Sequence, residues 1–189
     1  MLSEANAEQP ADGSAAAAAD GQLTAVVAEL EQHADSLGWD RPPTLFALVP
    51  TAELVAAEPA LAAALGLADG PVDAGGLTPV EQEPLGDGPL DEALAGIQWP
   101  PEVAGCALIN EVLVLPPSAG EAPAGTDPIR WASEHPARRE VRLVVGVVRD
   151  GGRASLLRIR PTALASDEPV VPGADLAPNL AAALLSTLD

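Results

Sequence analysis

The residues with the most versatile chemistry are Cys106, His33 and His135, and their setting narrows what they can do. A cysteine nucleophile needs exposure and a cationic neighbour that lowers its pKa. Cys106 instead lies inside an apolar run, VAGCALINEVLVLP (103–116), where a free cysteine behaves as a small buried hydrophobe. One cysteine and two histidines far apart in sequence give no zinc-ligand spacing. A nucleophile–base pair would require the fold to bring the thiol and an imidazole together, so an enzyme of unrecognised type, with a pocket containing Cys106 or His135, is the alternative reading. The acidic pairs Glu81/Glu83 and Asp91/Glu92 show no catalytic pattern, and the chain has no GxGxxG, GxxxxGK or GxSxG signature. Neither a metal nor a cofactor is expected.

The stretch RREVRLVVGVVRDGGRASLLRIRP (138–161) holds seven of the nine arginines, in a chain of formal net charge −19. Residues 127–161 carry a net +4, whereas the remainder, with Arg41 as its one basic residue, carries −23. Register decides which arginines face together. A two-residue turn would place Arg149 and Arg158 among Val141, Leu143, Val145 and Val147, and burying an unpaired guanidinium costs several kcal/mol. A three-residue loop, Asp150-Gly151-Gly152, inverts the second strand and avoids that cost. Val141, Leu143, Val145, Val147, Leu157 and Ile159 then share one face. Arg142, Arg158 and Arg160 share the other with Val144, Val148 and Leu156, and Arg142 lies nearly opposite Arg160. Such like-charge pairs need anions nearby. Two sources are open: the chain's own carboxylates, Glu111 and the acid-rich loops among them, or an acidic partner segment or small anion gripped by the arginine fork. Arg142, Arg158 and Arg160 are therefore the candidate binding residues.

The elements that must position these side chains follow from periodicity. Leu23, Val26, Val27, Leu30, Ala34 and Leu37 form one apolar stripe on a helix expected to start at an Asp20 cap and stop at Gly38. The alanine run at 15–19 is able to extend it backwards, although residues 1–19 read as a disordered acidic, Ala-rich tail. TLFALVP (44–50) reads as a buried strand, and TAELVAAEPALAAALGL as a helix that Pro59 kinks or splits. LTPVEQEP (77–84) fits a short edge strand, and PLDEALAGIQW a short helix. Residues 103–116 form a second buried strand, Asp127 caps a short helix with Pro128 at its first position, and 140–161 make a hairpin. DLAPNLAAALLSTLD closes the chain as a helix capped by Asp175. The expected fold is one α+β domain over 20–189: a mainly antiparallel sheet of four or five strands, about five helices packed on it, and a C-terminal β-hairpin followed by a helix. Trp39, Trp99 and Trp131 each stand at a helix end, where a large ring seals the junction of helix and sheet.

Composition excludes several classes. Clustered cations and aromatic platforms carry nucleic-acid binding, and neither suits a chain of net charge −19 with 2% aromatics. Anionic membrane surfaces are disfavoured by the same electrostatics. The first 20 residues have four acids and no base, unlike a secretory leader, and one cysteine allows no internal disulfide, so the cytoplasm is expected.

The segments GWDRPPTLFALVPTAELVAAEPALAAALGL (38–67), LTPVEQEPL (77–85), WPPEVAGCALINEVLVLPP (99–117) and HPARREVRLVVGVVRDGG (135–152) resemble an uncharacterised family of small acidic actinobacterial proteins. That resemblance implies an actinobacterial origin and no functional residues. The order of elements is also similar to small acidic secretion-chaperone-like modules, which implies a homodimer or a polypeptide partner. The functional expectation is a non-catalytic cytoplasmic binding or adaptor module for an acidic protein or peptide.

Overall fold

A computed structural model describes residues 12–67, 75–162 and 170–189, with side chains described for all of these except 12–19 and 117. Among the described residues six strands form one sheet in the order β2-β1-β3-β4-β5-β6, every neighbouring pair antiparallel. They are β1 (Thr44–Pro50), β2 (Leu77–Glu81), β3 (Gly105–Val114), β4 (Arg139–Val148), β5 (Arg153–Ile159) and β6 (Val170–Gly173). The helices are α1 (Asp12–Leu37), α2 (Thr51–Ala57), α3 (Pro59–Ala64), α4 (Leu90–Ala95), α5 (Pro128–Glu134) and α6 (Pro178–Ser186). The α+β class and antiparallel sheet are as expected; the strand number is six rather than four or five. The additional strand is β6, whose four residues include Pro172. Its length and its proline hide it from a periodicity search, and its place at the sheet edge is where proline is tolerated.

Period-two alternation in the strands gives the sheet two apolar faces. Leu45, Ala47, Cys106, Leu108, Val141, Leu143, Val145 and Val147 pack beneath α6 with Ala181, Leu184 and Leu188, and Leu94 of α4 joins them. Phe46, Leu48, Ala107, Ile109, Val144, Val148 and Ala154 pack beneath α1 with Leu23, Val26, Val27, Leu30 and Ala34. Leu37, the last expected member of that stripe, is half exposed. Gly146 allows α1 to lie close: a Cβ there would stand 2.7 Å from Val27 Cγ2 and 3.0 Å from Leu23 Cδ1.

Several boundaries move for identifiable reasons. Helix α1 begins at Asp12, so Asp20 lies inside it, with its carbonyl accepting from the Thr24 hydroxyl at 2.8 Å. Residues 1–11 of the expected tail lie outside the described residues. Pro59 splits the second helical segment into α2 and α3. Asp127 caps α5, its Oδ1 accepting from the Ile129 and Arg130 amides. Helix α6 starts at Pro178 rather than at an Asp175 cap, because proline at the first position fixes φ where an amide donor is not needed.

The β4–β5 register confirms the parity argument and corrects its detail. Val141 faces Ile159, Leu143 faces Leu157 and Val147 faces Arg153. The loop closes one residue earlier than the Asp150-Gly151-Gly152 reading, with the Val148 amide donating to the Gly152 carbonyl. Gly151, at φ 90°, supplies the left-handed turn position. Arg142 consequently lies opposite Arg158, not Arg160. Arg149 enters the turn and donates to the carbonyls of Val103, Pro100, Trp99 and Leu188, which ties the hairpin to the end of α6.

Candidate functional site

Arg142, Arg158 and Arg160 project from the same sheet face, under the C-terminal half of α1. Across the strands, Glu111 of β3 is opposite Arg142, and Arg142 is opposite Arg158. Arg142 is 1% exposed, and its Nε and Nη2 both donate to Glu111 Oε1, at 3.3 and 3.0 Å. Nη2 also donates to the Gly38 carbonyl. That carbonyl is turned toward it by the left-handed Gly38, φ 83°, which ends α1. The Trp39 ring then stacks on the guanidinium, 4.3 Å from centroid to Cζ. Asp40 follows at φ 66°, a conformation that aspartate tolerates. Its amide and that of Arg41 donate to Glu111 Oε2 at 2.8 and 3.3 Å. One carboxylate thus anchors both the buried guanidinium and the turn after α1.

The other two arginines are held by the same helix and turn. Arg158 grips Glu31 through Nε and Nη2, the latter at 2.7 Å from Oε2, and Glu31 is 3% exposed. Asp35, one turn further along α1, bridges the like-charged pair, 3.9 Å from Arg142 and 3.6 Å from Arg158. Arg160 makes a fork to both Asp40 oxygens at 2.7 Å and a further bond to Glu140. Its Cζ lies 5.6 Å from the Trp39 ring. The hydrogen bonds that Arg160 donates to Asp40 and Glu140 raise its pKa, those that Arg158 donates to Glu31 raise that of Arg158, and Arg160 holds the Asp40 carboxyl below its ordinary range.

The three guanidinium groups are therefore compensated by Glu31, Asp35, Asp40, Glu111 and Glu140, two negative charges in excess. Of the two anion sources left open by the sequence, the chain's own carboxylates occupy this face. Glu111 was legible as one of them. Glu31 was missed, although its position beside Leu30 and one turn after Val27 puts an acid on the buried side of α1. Trp39, read as a junction seal, is instead the aromatic platform between Arg142 and Arg160.

A different basic surface lies at the open end of the hairpin. Arg138 and Arg139 are exposed, and with Arg160, Glu140, Pro161 and Thr162 they line a groove of about 500 Å³. The remaining chemical candidates stand apart from both places. Cys106 is fully buried, its sulfur 3.7 Å from the Leu184 carbonyl and the Thr187 hydroxyl, and burial pushes its pKa up to about 11. Trp99 seals that corner by donating to the Thr187 hydroxyl at 2.9 Å, as a ring at a helix–sheet junction should. His135 accepts from the Ala137 amide at 3.1 Å and meets Trp131 edge-on at 4.9 Å, in a groove with Arg130 and Glu134. The structure does not bring Cys106 and His135 together: one lies under α6, the other at the end of α5. The native thiol is accordingly expected to react with a disulfide reagent at least about tenfold more slowly than the unfolded chain, because burial both lowers its thiolate fraction and blocks approach of the reagent. Comparison of labelling rates in buffer and in denaturant checks this, and equal rates would contradict it.

The family model for PPA1309-like protein matches residues 23–189, which spans the whole sheet and all the arginine contacts described above. The chain belongs to the PPA1309-like protein family. No curated protein and no solved structure matches it. Membership in the PPA1309-like family agrees with the resemblance carried by the segments between residues 38 and 152. Among the described residues no helix is long and apolar enough to cross a membrane.

Proposed function

We propose that this chain is a non-catalytic, cytoplasmic adaptor module that docks an acidic protein or peptide along the groove of Arg138, Arg139 and Arg160. The observation that carries this reading is the exposure of Arg138 and Arg139 in that groove, beside an Arg160 already held by Asp40 and Glu140, at the surface of a chain of net charge −19. At physiological ionic strength the Debye length is about 8 Å, so a bound segment feels the groove more strongly than the distant acids. Arginine forks suit carboxylates, which favours Asp/Glu-rich polypeptide over other ligands. The role of Arg142 and Arg158 in this scheme is to hold β4 and β5 beneath α1, so that the groove keeps its shape. An actinobacterial origin is part of the same proposal and rests on the sequence resemblance.

A fluorescein-labelled decapeptide of alternating Asp and Glu, followed by anisotropy, tests the assignment. The parent protein is expected to bind it saturably at low salt. Arg138→Ala/Arg139→Ala is expected to weaken binding by about tenfold or more, since each charge-assisted hydrogen bond contributes about 1.5–3 kcal/mol. Arg130→Ala, in the groove of His135, should leave it unchanged. Absence of binding by the parent, or equal affinity in the double variant, would overturn the proposal.

A further inference from the structure

Thr162 stands where the chain leaves β5, directly after Pro161, and its exposed side chain lines the same groove as the exposed Arg138 and Arg139. Pro161 has a fixed φ, so the step that joins Thr162 to the strand is stiff. Arg138 forms no ion pair with the described residues. The Thr162 hydroxyl makes no hydrogen bond among them either. Other exposed hydroxyls are engaged: those of Ser36, Ser133 and Ser186 donate to the carbonyls of His33, Arg130 and Ala183. Thr126, another exposed threonine that lines a groove, has the opposite electrostatic setting. Asp127 follows it, and the guanidinium of its groove, Arg130, is already bonded to Glu134. A phosphate on a threonine carries about −1.5 to −2 charge at pH 7 and three strong acceptor oxygens, and it orders itself against arginines while acids repel it. Position 162 supplies the arginines at the surface, and position 126 supplies the acid.

We propose that Thr162 is a phosphorylation site whose phosphate is captured by Arg138 and Arg139 and closes their groove to acidic segments. The modification is a phosphoryl transfer from a nucleoside triphosphate held by a protein kinase. The Thr162 oxygen bonds to the terminal phosphorus as its bond to the nucleoside diphosphate breaks, and the hydroxyl proton passes to the base of the kinase. The captured phosphate occupies the guanidinium groups that a docked carboxylate would need. Closure of the groove rests on the docking role proposed above; capture of the phosphate does not.

The test uses the full-length chain with phosphothreonine genetically encoded at position 162, and at position 126 as a control. Phosphorus NMR follows the second ionisation of the phosphate, ordinarily at about 6. In the folded chain it is expected to fall at phosphothreonine 162 by about half a unit or more relative to the chain in denaturant, because a neighbouring cation favours the dianion. Arg138→Ala is expected to remove most of that fall, and the control phosphate should show none. A phosphate at 162 that titrates alike in both states, or that ignores Arg138→Ala, overturns the capture. In the anisotropy assay the chain phosphorylated at 162 is expected to bind the acidic decapeptide at least about tenfold more weakly than the parent, and the control chain to bind as the parent does. Equal binding by the parent and the 162 form overturns the closure and leaves the docking role standing. If the parent itself does not bind, the docking role falls with the closure, and the titration alone decides the capture. Tandem mass spectrometry of the chain isolated from its native cells with phosphatases inhibited is expected to find phosphate on Thr162, and its absence there overturns the assignment.

Discussion

Glu111→Ala is expected to lower the free energy of unfolding by about 3–5 kcal/mol, the cost of stranding a buried guanidinium. Arg142 is 1% exposed, and Glu111 accepts two of its hydrogen bonds. No water reaches the guanidinium to replace the carboxylate, and Asp35 approaches only to 3.9 Å. The same substitution frees the amides of Asp40 and Arg41, so the turn carrying Trp39 loosens with it. Urea denaturation followed by circular dichroism measures the loss as a shift in midpoint. Removing the charge together with its partner, in Glu111→Leu/Arg142→Met, is expected to restore most of the stability, because a buried ion pair exchanged for apolar side chains of similar volume is often neutral. A single variant as stable as the parent would contradict the burial of Arg142.

The second large effect is expected at Gly146→Val. Gly146 sits near the C-terminal end of β4, opposite Ala107 and Ala154, directly beneath α1. A Cβ there already crowds Val27 and Leu23, and the two methyl groups of valine extend the clash. Overpacking of this kind costs about 1–3 kcal/mol. Here the strain is relieved only by lifting α1, which carries Glu31 and Asp35 away from Arg158 and Arg142. Gly146→Val should therefore also accelerate amide exchange along α1 between Leu23 and Ala34 while α6, on the opposite face, keeps its protection. Uniform loss of protection on both faces would contradict a local seating role for Gly146.

Most of the scaffold was legible because its signals are local. Thr44–Pro50 is bounded by prolines and apolar from Leu45 on, Pro59 interrupts its helix, and Asp127-Pro128 is a cap followed by a proline suited to the first turn. Parity in the hairpin was legible because a wrong choice would bury an arginine among valines. Its offset was not, since moving the loop by one residue keeps every side chain on the same face and changes only which residues lie opposite. Strand β6 escaped because four residues with a proline carry no period, and its pairing with β5 is a tertiary fact. The arginine face shows the same division. That Arg142, Arg158 and Arg160 share a side follows from alternation, and Glu111 was a visible partner. The compensation by Glu31 and Asp35 depends on how α1 crosses the sheet, which no local pattern specifies.

The central claim is that α1 neutralises the arginine face from within, and the Glu31–Arg158 pair tests it most directly. A double-mutant cycle of Glu31→Ala, Arg158→Ala and the double variant isolates the coupling between them by chemical denaturation. Bidentate geometry and the 3% exposure of Glu31 lead to an expected coupling of about 2 kcal/mol or more, little reduced at about 0.5 M salt. A coupling below about 0.5 kcal/mol, the range of solvent-exposed pairs, would contradict it and return Arg158 to the open surface.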